Sequence, residues 1–214
     1  MDKYTKLRQL VLDKNMVLNL TAITDEAEFD LKHIEDSLVM TSFFPLVDGM
    51  KVADLGTGAG FPGLPLAIKY PMVNFSLIDS VNKKLKFVDE ASKELELNNV
   101  KVFHGRFEDL AHEKAHRESY DVVVSRAVAS LPVLLEYMVG FAKLHGHLIC
   151  YKSLRFEEEL AESQRALKAL NLELVSTNEY SLGEATHTIA IFKKTKATKE
   201  KYPRKAGTPK RDPL

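Results

Sequence analysis

The 214-residue chain contains no tryptophan and a single cysteine, Cys150. One cysteine excludes an intrachain disulfide, and with it the small disulfide-stapled scaffolds, and it fits a reducing compartment, the cytoplasm. Cys150 itself lies in an apolar strand pattern, the setting of a small buried residue. No apolar run approaches the roughly 20 residues of a membrane-spanning helix. The opening Met1-Asp-Lys-Tyr-Thr-Lys6 leads into no signal-peptide core, so no membrane association is expected. Neither an internal repeat nor a low-complexity linker divides the chain, and a monomer is the simplest expectation. Excess charge is missing too, with 30 basic and 30 acidic residues, but the balance hides an asymmetry. Residues 193–214 hold nine Lys or Arg against two acids. This stretch has three prolines and no hydrophobic period, so a core-free tail suited to an anionic surface is expected over 195–214.

What is present is an alternation of two periodicities. Tyr4, Leu7 and Val11 have helical spacing, and Thr24-Asp25-Glu26 reads as a helix start with Ala27, Leu31, Ile34 and Leu38 on its apolar stripe,. Together they predict a helical cap over 1–45. Beyond Pro45, segments 50–55, 74–79, 100–104, 121–125 and 147–151 are short strand candidates rich in β-branched or aromatic residues,. Amphipathic stretches separate them, built on Val81, Leu85, Val88, Ala91 and Leu95 and on Leu131, Leu134, Leu135, Met138 and Phe141, and a further helix is predicted over 156–170. Such alternation implies right-handed crossovers and a mostly parallel sheet covered on both faces. Strand candidates 172–180 and 186–193 leave no room for a crossover helix and should pair antiparallel. The expectation is one α/β domain over 1–194, with a Rossmann-like core at 46–194. Its seven-stranded, mostly parallel sheet ends in an antiparallel hairpin, the form of class I S-adenosylmethionine-dependent methyltransferases.

The most informative stretch is Val52-Ala-Asp-Leu-Gly-Thr-Gly-Ala-Gly-Phe-Pro-Gly63, which follows a hydrophobic strand and opens a helix, the place of a ligand loop in a doubly wound sheet. Gly56, Gly58 and Gly60 allow a tight turn and close approach to a ligand. Asp54 can accept from an ammonium group or support the loop. Asp79, ending the next strand, can bond both hydroxyls of a ribose. Gly58-x-Gly-x-x-Gly63 also satisfies the dinucleotide pattern, with Asp79 near the expected distance. There, however, the first glycine should follow the strand directly, and Asp54-Leu-Gly56 already fills that place. After the third strand, Phe107 can pack on an adenine ring, and Glu108 or Asp109 can read its edge.

Five motifs in order resemble one family, the bacterial 16S rRNA guanine-N7 methyltransferase G family, also called glucose-inhibited division protein B. They are Asn19-Leu-Thr-Ala-Ile23, His33-Ile-Glu-Asp-Ser37, Asp54-Leu-Gly-Thr-Gly-Ala-Gly-Phe-Pro-Gly63, Ser125-Arg-Ala-Val-Ala-Ser130 and Lys201-Tyr-Pro-Arg-Lys-Ala-Gly-Thr-Pro209. The resemblance covers nearly the whole chain from Asn19. It implies S-adenosylmethionine as methyl donor and a guanine in the 530 loop of 16S RNA as target, met in the small subunit or an assembly intermediate. It also implies that Gly56 and Phe61 contact the cofactor, that Phe107 and Glu108 contact its adenosine, and that Arg126 lies in the cofactor or target pocket. The family usually carries a longer first helix, often with a Trp-Asn pair, which this chain lacks.

Guanine N7 has an in-plane lone pair and no proton, so its attack on a sulfonium methyl needs alignment rather than a general base. The sequence agrees by omission. The fourth strand ends in Ser125-Arg126-Ala127, not in the Asp/Asn-Pro-Pro-aromatic element that steadies an exocyclic amine, and Cys150 has no supporting base. Arg126 could donate to the guanine O6, pair with the methionine carboxylate, or make a strand-end salt bridge. His33 and Asp36 share a helix face, and with Asn19 they are expected to wall the active site; a metal would need more ligands than this pair offers. Arg204, Lys205, Lys210 and Arg211 are expected to neutralise RNA phosphates, and loss of the tail to leave cofactor affinity alone. The alternatives are a nicotinamide-dependent oxidoreductase and a non-catalytic ribosome-binding protein.

Overall fold

Asp2 starts the first helix by accepting from the amides of Tyr4 and Thr5 at 3.0 and 3.1 Å, two donors that a helix start leaves open. The structure, a computed structural model, describes residues 1–214. Helix α1 (Lys3–Leu18) buries Leu7 and Val11 and stops at Asn19, which is left-handed with φ 50°. A second helical run opens where Asp25 accepts from the Glu28 amide at 2.8 Å. It passes through α2 (Glu26–Phe29), a π-helical segment (Asp30–Glu35), α3 (Asp36–Val39) and a 3-10 turn (Met40–Ser42). The apolar stripe reads as one regular helix. The structure widens it by one residue: the Asp36 amide donates to the Leu31 carbonyl, five positions back,.

The alternating part forms β1 (Lys51–Leu55), α4 (Gly63–Lys69), β2 (Asn74–Asp79), α5 (Asn82–Glu94), β3 (Val100–His104), α6 (Phe107–Leu110), β4 (Tyr120–Arg126), α7 (Leu131–Val139) and β5 (Ala142–Lys152). Then come α8 (Phe156–Glu162), α9 (Gln164–Leu170), β6 (Leu172–Leu182) and β7 (Ala185–Lys194). The single helix expected over 156–170 divides at Ser163, whose hydroxyl donates to the Glu159 carbonyl at 2.6 Å. The seven strands lie in the order β3-β2-β1-β4-β5-β7-β6. The first five are parallel, and β7 runs antiparallel to both β5 and β6.

Two cores cover the sheet. One packs Leu7 and Val11 of α1, Leu64 and Leu66 of α4, and Phe87 and Val88 of α5; the other packs α7, α8 and α9 through Leu131, Leu134, Leu135, Phe156 and Ala166. Asp79 stands opposite His104 and Arg126 opposite Tyr151, so the carboxyl ends of the strands form one rim. The connections reverse direction between β1 and β4, which is where such sheets bind ligands.

The core-free tail expected over 195–214 is a correction. Tyr202 and Leu214 are only 5% and 9% exposed and belong to the α7–α9 core. Arg117 donates to the carbonyls of Thr198, Lys199 and Tyr202, and a ring nitrogen of His112 lies 2.8 Å from the Pro203 carbonyl oxygen. Arg204 bonds both carboxylate oxygens of Glu136, which is fully buried in α7. A short helix, α10 (Thr208–Arg211), follows. Composition missed this because the segment's own apolar residues are few and its carbonyls are satisfied by side chains from elsewhere.

Candidate active site

The loop after β1 is fixed by two carboxylates. Asp54 accepts from the Gly63 amide at 2.9 Å through Oδ2, and Asp79 accepts from the Gly58 and Val81 amides at 2.9 and 2.8 Å. Two of its glycines answer to geometry. A Cβ on Gly56, at φ +77°, would lie 2.3 Å from a Val128 methyl and 3.7 Å from the Phe107 ring, and one on Gly63 would lie 2.2 Å from Leu77. Asp54 Oδ1 and Thr57 Oγ1 are buried and neither makes a well-formed hydrogen bond, although the Thr57 hydroxyl is close enough to the Asp54 carboxyl to lower its pKa. Buried polar atoms are nearly always fully paired, so the loop retains capacity for a polar ligand. Burial pushes Asp54 up to about 7, and a cation brought to Oδ1 would reverse that.

On one side of the loop is a cleft of about 750 Å³ lined by Ser80, Gly105, Phe107, Glu108, Val128 and Tyr137, among others. Phe107 packs on Tyr137 with ring centroids 5.4 Å apart. Glu108 is 5% exposed. Gly207, Lys210 and Pro213 of the C-terminal segment complete the lining.

On the other side, a cavity of about 550 Å³ is lined by His33, Asp36, Arg126, Tyr151, Lys152 and Tyr180, among others. Arg126 donates to Asp36 Oδ2 at 2.5 Å and to the Lys32 carbonyl at 3.1 Å. The Tyr180 hydroxyl donates to Asp36 Oδ1 at 2.5 Å. His33 stacks on Phe61 with centroids 4.8 Å apart, and its Nε2 lies 2.7 Å from the Thr21 hydroxyl. Burial, and then the Arg126 charge, push His33 down to about 4, so its ring is neutral near pH 7. Burial raises Tyr180, helped by its bond to Asp36, which keeps the phenol a donor. Lys152 pairs with Glu159 at 2.5 Å in the same cavity wall. Ala127, next to Arg126, holds φ 57°, a strained conformation for a residue with a Cβ and one that gathers at functional sites.

The structure thus brings together His33, Asp36 and Arg126, as the sequence suggested, and places Phe107 and Glu108 in one cleft wall. Phe61 is elsewhere: 6% exposed, it supports His33, and the Arg126 guanidinium carbon sits 5.7 Å from its ring centre. The sequence grouped Asn19 with His33 and Asp36, and that is corrected. Asn19 is exposed and caps α1 by its backbone. Thr21 of the same motif reaches His33 instead, held by Asn15, which bonds both the amide and the carbonyl of Thr21 at 2.9 Å. Tyr151, Lys152, Tyr180 and Glu159 escaped the sequence reading; they carry no local motif, and only the sheet's closing strands and α8 bring them to the cavity. Arg204, expected at RNA, is occupied by Glu136 and Asp212. Lys205, Lys210 and Arg211 are exposed.

Comparison with known proteins gives the family and the fold. Residues 1–188 match the family described as GidB, rRNA small subunit methyltransferase G. Proteins named ribosomal RNA small subunit methyltransferase G are 45% identical in Desulfitobacterium hafniense, over all of this chain and 89% of that one, and 43% identical in Alkaliphilus metalliredigens, over 97% and 87%. Among solved structures, a SAM-dependent methyltransferase from Aquifex aeolicus superposes with TM-score 0.61 at 20% identity, covering 90% of this chain and 98% of that one. M. jannaschii TYW2, solved with AdoMet, does so with TM-score 0.60 at 16% identity, covering 80% and 77%. The fold is therefore the Rossmann-like one of the SAM-dependent methyltransferases, and the chain belongs to the rRNA small subunit methyltransferase G family.

Proposed function

We propose that this protein transfers the methyl group of S-adenosylmethionine to N7 of one guanine in the 530 loop of 16S RNA, acting as a cytoplasmic monomer on the small subunit or its assembly intermediate. The observation that carries the reading is a pair of cavities whose walls meet one glycine loop, Val128 and Phe107 against Gly56 in one and His33 and Arg126 against Phe61 in the other. The donor would supply a methyl group on a positively charged sulfur. The residues present suit it: Asp54 Oδ1 makes no well-formed hydrogen bond and suits the ammonium group. Asp79 ends β2 where a carboxylate can meet ribose hydroxyls, and the absence of a Cβ on Gly56 lets Val128, which lines the cleft beside Phe107, pack directly on the loop. Gly58, whose Cβ would meet nothing nearer than 4.0 Å, lets the loop's backbone run close beside the donor, while Gly60 makes room for Leu64 and so serves the packing of the loop on α4,.

The chain's own task in such a transfer is alignment, worth roughly 7–11 kcal/mol when nucleophile and carbon are held at near-attack distance. Arg126 is anchored by Asp36 and the Lys32 carbonyl, which leaves guanidinium edges for a guanine O6 or the donor's carboxylate. His33 is neutral near pH 7 and stacked on Phe61, suited to shaping the target pocket rather than to moving a proton. Guanine N7 requires no base. The two other common chemistries fit less well: Cys150 is fully buried with its thiol pushed up to about 12, and Ser125-Arg126-Ala127 offers no element for an exocyclic amine. The nicotinamide alternative has no support from the relatives, and a decayed binding protein has none from the intact loop.

The test is transfer of labelled methyl from S-adenosylmethionine to small-subunit particles or 16S RNA lacking the modification, with the labelled nucleoside identified by mass. N7-methylguanosine at a single position is expected. Label on another base or atom would overturn the regiochemistry and leave the family assignment standing.

A further inference from the structure

The wall of the 750 Å³ cleft has two sources. Gly105 to Asp109 and the residues from Val128 to Tyr137 come from the strand rim. Gly207, Lys210 and Pro213 come from the far end of the chain, folded back across it. The contact between them is specific. Oε1 of Glu108, the buried carboxylate in the cleft wall, accepts from the Gly207 amide at 2.9 Å. The segment is also firmly held just before that point. The Arg204 amide and side chain donate to Glu136 at 2.7–2.9 Å, and the Arg204 guanidinium also donates to the Asp212 carbonyl at 2.7 Å. Pro203 lies against Gly140, where an added Cβ would come within 2.9 Å of the proline ring.

We propose that residues 204–213 form the outer wall of the methyl donor's adenosine pocket, so that the segment presenting Lys205, Lys210 and Arg211 to RNA also sets donor affinity. The proposal rests on reading this cleft as the donor site. Glu108 cannot turn toward an adenine edge without regard to Gly207, because one carboxylate serves both. Lys210 sits at the junction of the two roles, lining the cleft while exposed. Lys205, Lys210 and Arg211 take part in none of the structure's ion pairs, whereas Arg204 has two. The anchor and the free cations are thus different residues of one short segment. A contact shared by two ligands couples their binding, and the coupling is reciprocal. RNA that holds the segment closed tightens the donor's binding, and the donor tightens RNA binding by the same factor. On this proposal the tail and the cofactor are coupled, where the sequence led to an expectation of independence.

Two measurements on the full-length chain test this. Calorimetric titration with S-adenosylhomocysteine should show Lys210→Ala binding it about fivefold more weakly than the unaltered chain, with thermal melting confirming an intact fold. Trypsin digestion of the unaltered chain, read by mass, involves no substitution. Saturating S-adenosylhomocysteine should slow cleavage after Lys205 and Lys210 at least about fivefold more than cleavage after Lys168, which is exposed on α9. Either result supports the proposal. Unchanged affinity in the variant together with equal protection at the three lysines overturns it. Absence of any binding to the unaltered chain overturns the donor reading itself, and the proposal with it.

Discussion

Tyr180 and Asp36, 144 residues apart in sequence, meet at 2.5 Å between the hydroxyl and Oδ1, while Arg126 holds the other carboxylate oxygen at 2.5 Å. Asp36 is 6% exposed, so each oxygen depends on its protein partner. Tyr180→Phe leaves Oδ1 unpaired, at a cost of about 1–3 kcal/mol, and frees Arg126 to drift. The expected outcome is methyl transfer slowed about tenfold, with S-adenosylhomocysteine affinity by calorimetry unchanged. A loss of affinity equal to the loss of rate would place Tyr180 in the donor site instead.

Gly56→Ala tests the loop. The new methyl must adopt φ +77° and enter the space of Val128 and Phe107. Such backbone strain costs on the order of 1–3 kcal/mol, and the cleft is narrowed as well. Donor affinity should fall more than tenfold, with a lowered melting temperature; a variant with wild-type affinity would mean that the donor does not approach this part of the loop.

With the donor's ammonium at Asp54, as proposed, donor binding should depend on pH. Burial raises its pKa from 3.8 to about 7, so between those values the folded chain holds a proton that the unfolded chain has released. Its contribution to stability is therefore greatest at low pH and is lost as pH rises toward 7. An ammonium group at Oδ1 drives that proton off. Near pH 6, binding of S-adenosylhomocysteine should release close to one proton, measured as a difference in heat between buffers of unlike ionisation enthalpy. Asp54→Asn should abolish the difference. Identical heats for the unaltered chain in both buffers would refute the assignment.

Lys205, Lys210 and Arg211 are the segment's unpaired cations. Replacing all three with alanine should reduce the slope of log affinity against log salt by about 2 for single-stranded RNA, at roughly 0.7 per phosphate contact. An unchanged slope would mean that RNA is met by another surface.

Arg204 answers a different test. Arg204→Met alone strands the buried Glu136 charge and should destabilise the fold by about 3–5 kcal/mol, whereas Arg204→Met with Glu136→Leu removes both charges and should recover most of that loss. Denaturant unfolding of the two variants decides it. Equal destabilisation by both would show that packing, not the buried charge, is what the single change disturbs.

How much of this was legible in the sequence depends on distance along the chain. The strands were readable because each is a short β-branched run bounded by turns, and Asp54, Asp79, Phe107 and Arg126 stood out because each lies within three residues of a strand's carboxyl end. His33 and Asp36 share a helix, so their spacing exposed them. Tyr180 and Lys152 were not readable, because only the pairing of β5 with β7 and of β7 with β6 brings them to the cavity. Asn19 was misplaced because a motif names a neighbourhood, and within it the backbone gave the inward position to Thr21. The tail's packing was hidden for a different reason: its charge dominates its composition, yet Arg204 is neutralised by a glutamate 68 residues earlier.

The π-helical segment at Asp30–Glu35 carries a consequence for how His33 is aimed. It amounts to one residue more than a regular helix needs, and the Asp36 amide reaching back to Leu31 is its mark. Deleting Ile34 or Glu35 would restore ordinary winding and leave the residues before the segment facing much as they do now, but it would re-aim His33 relative to Asp36 and so away from Arg126.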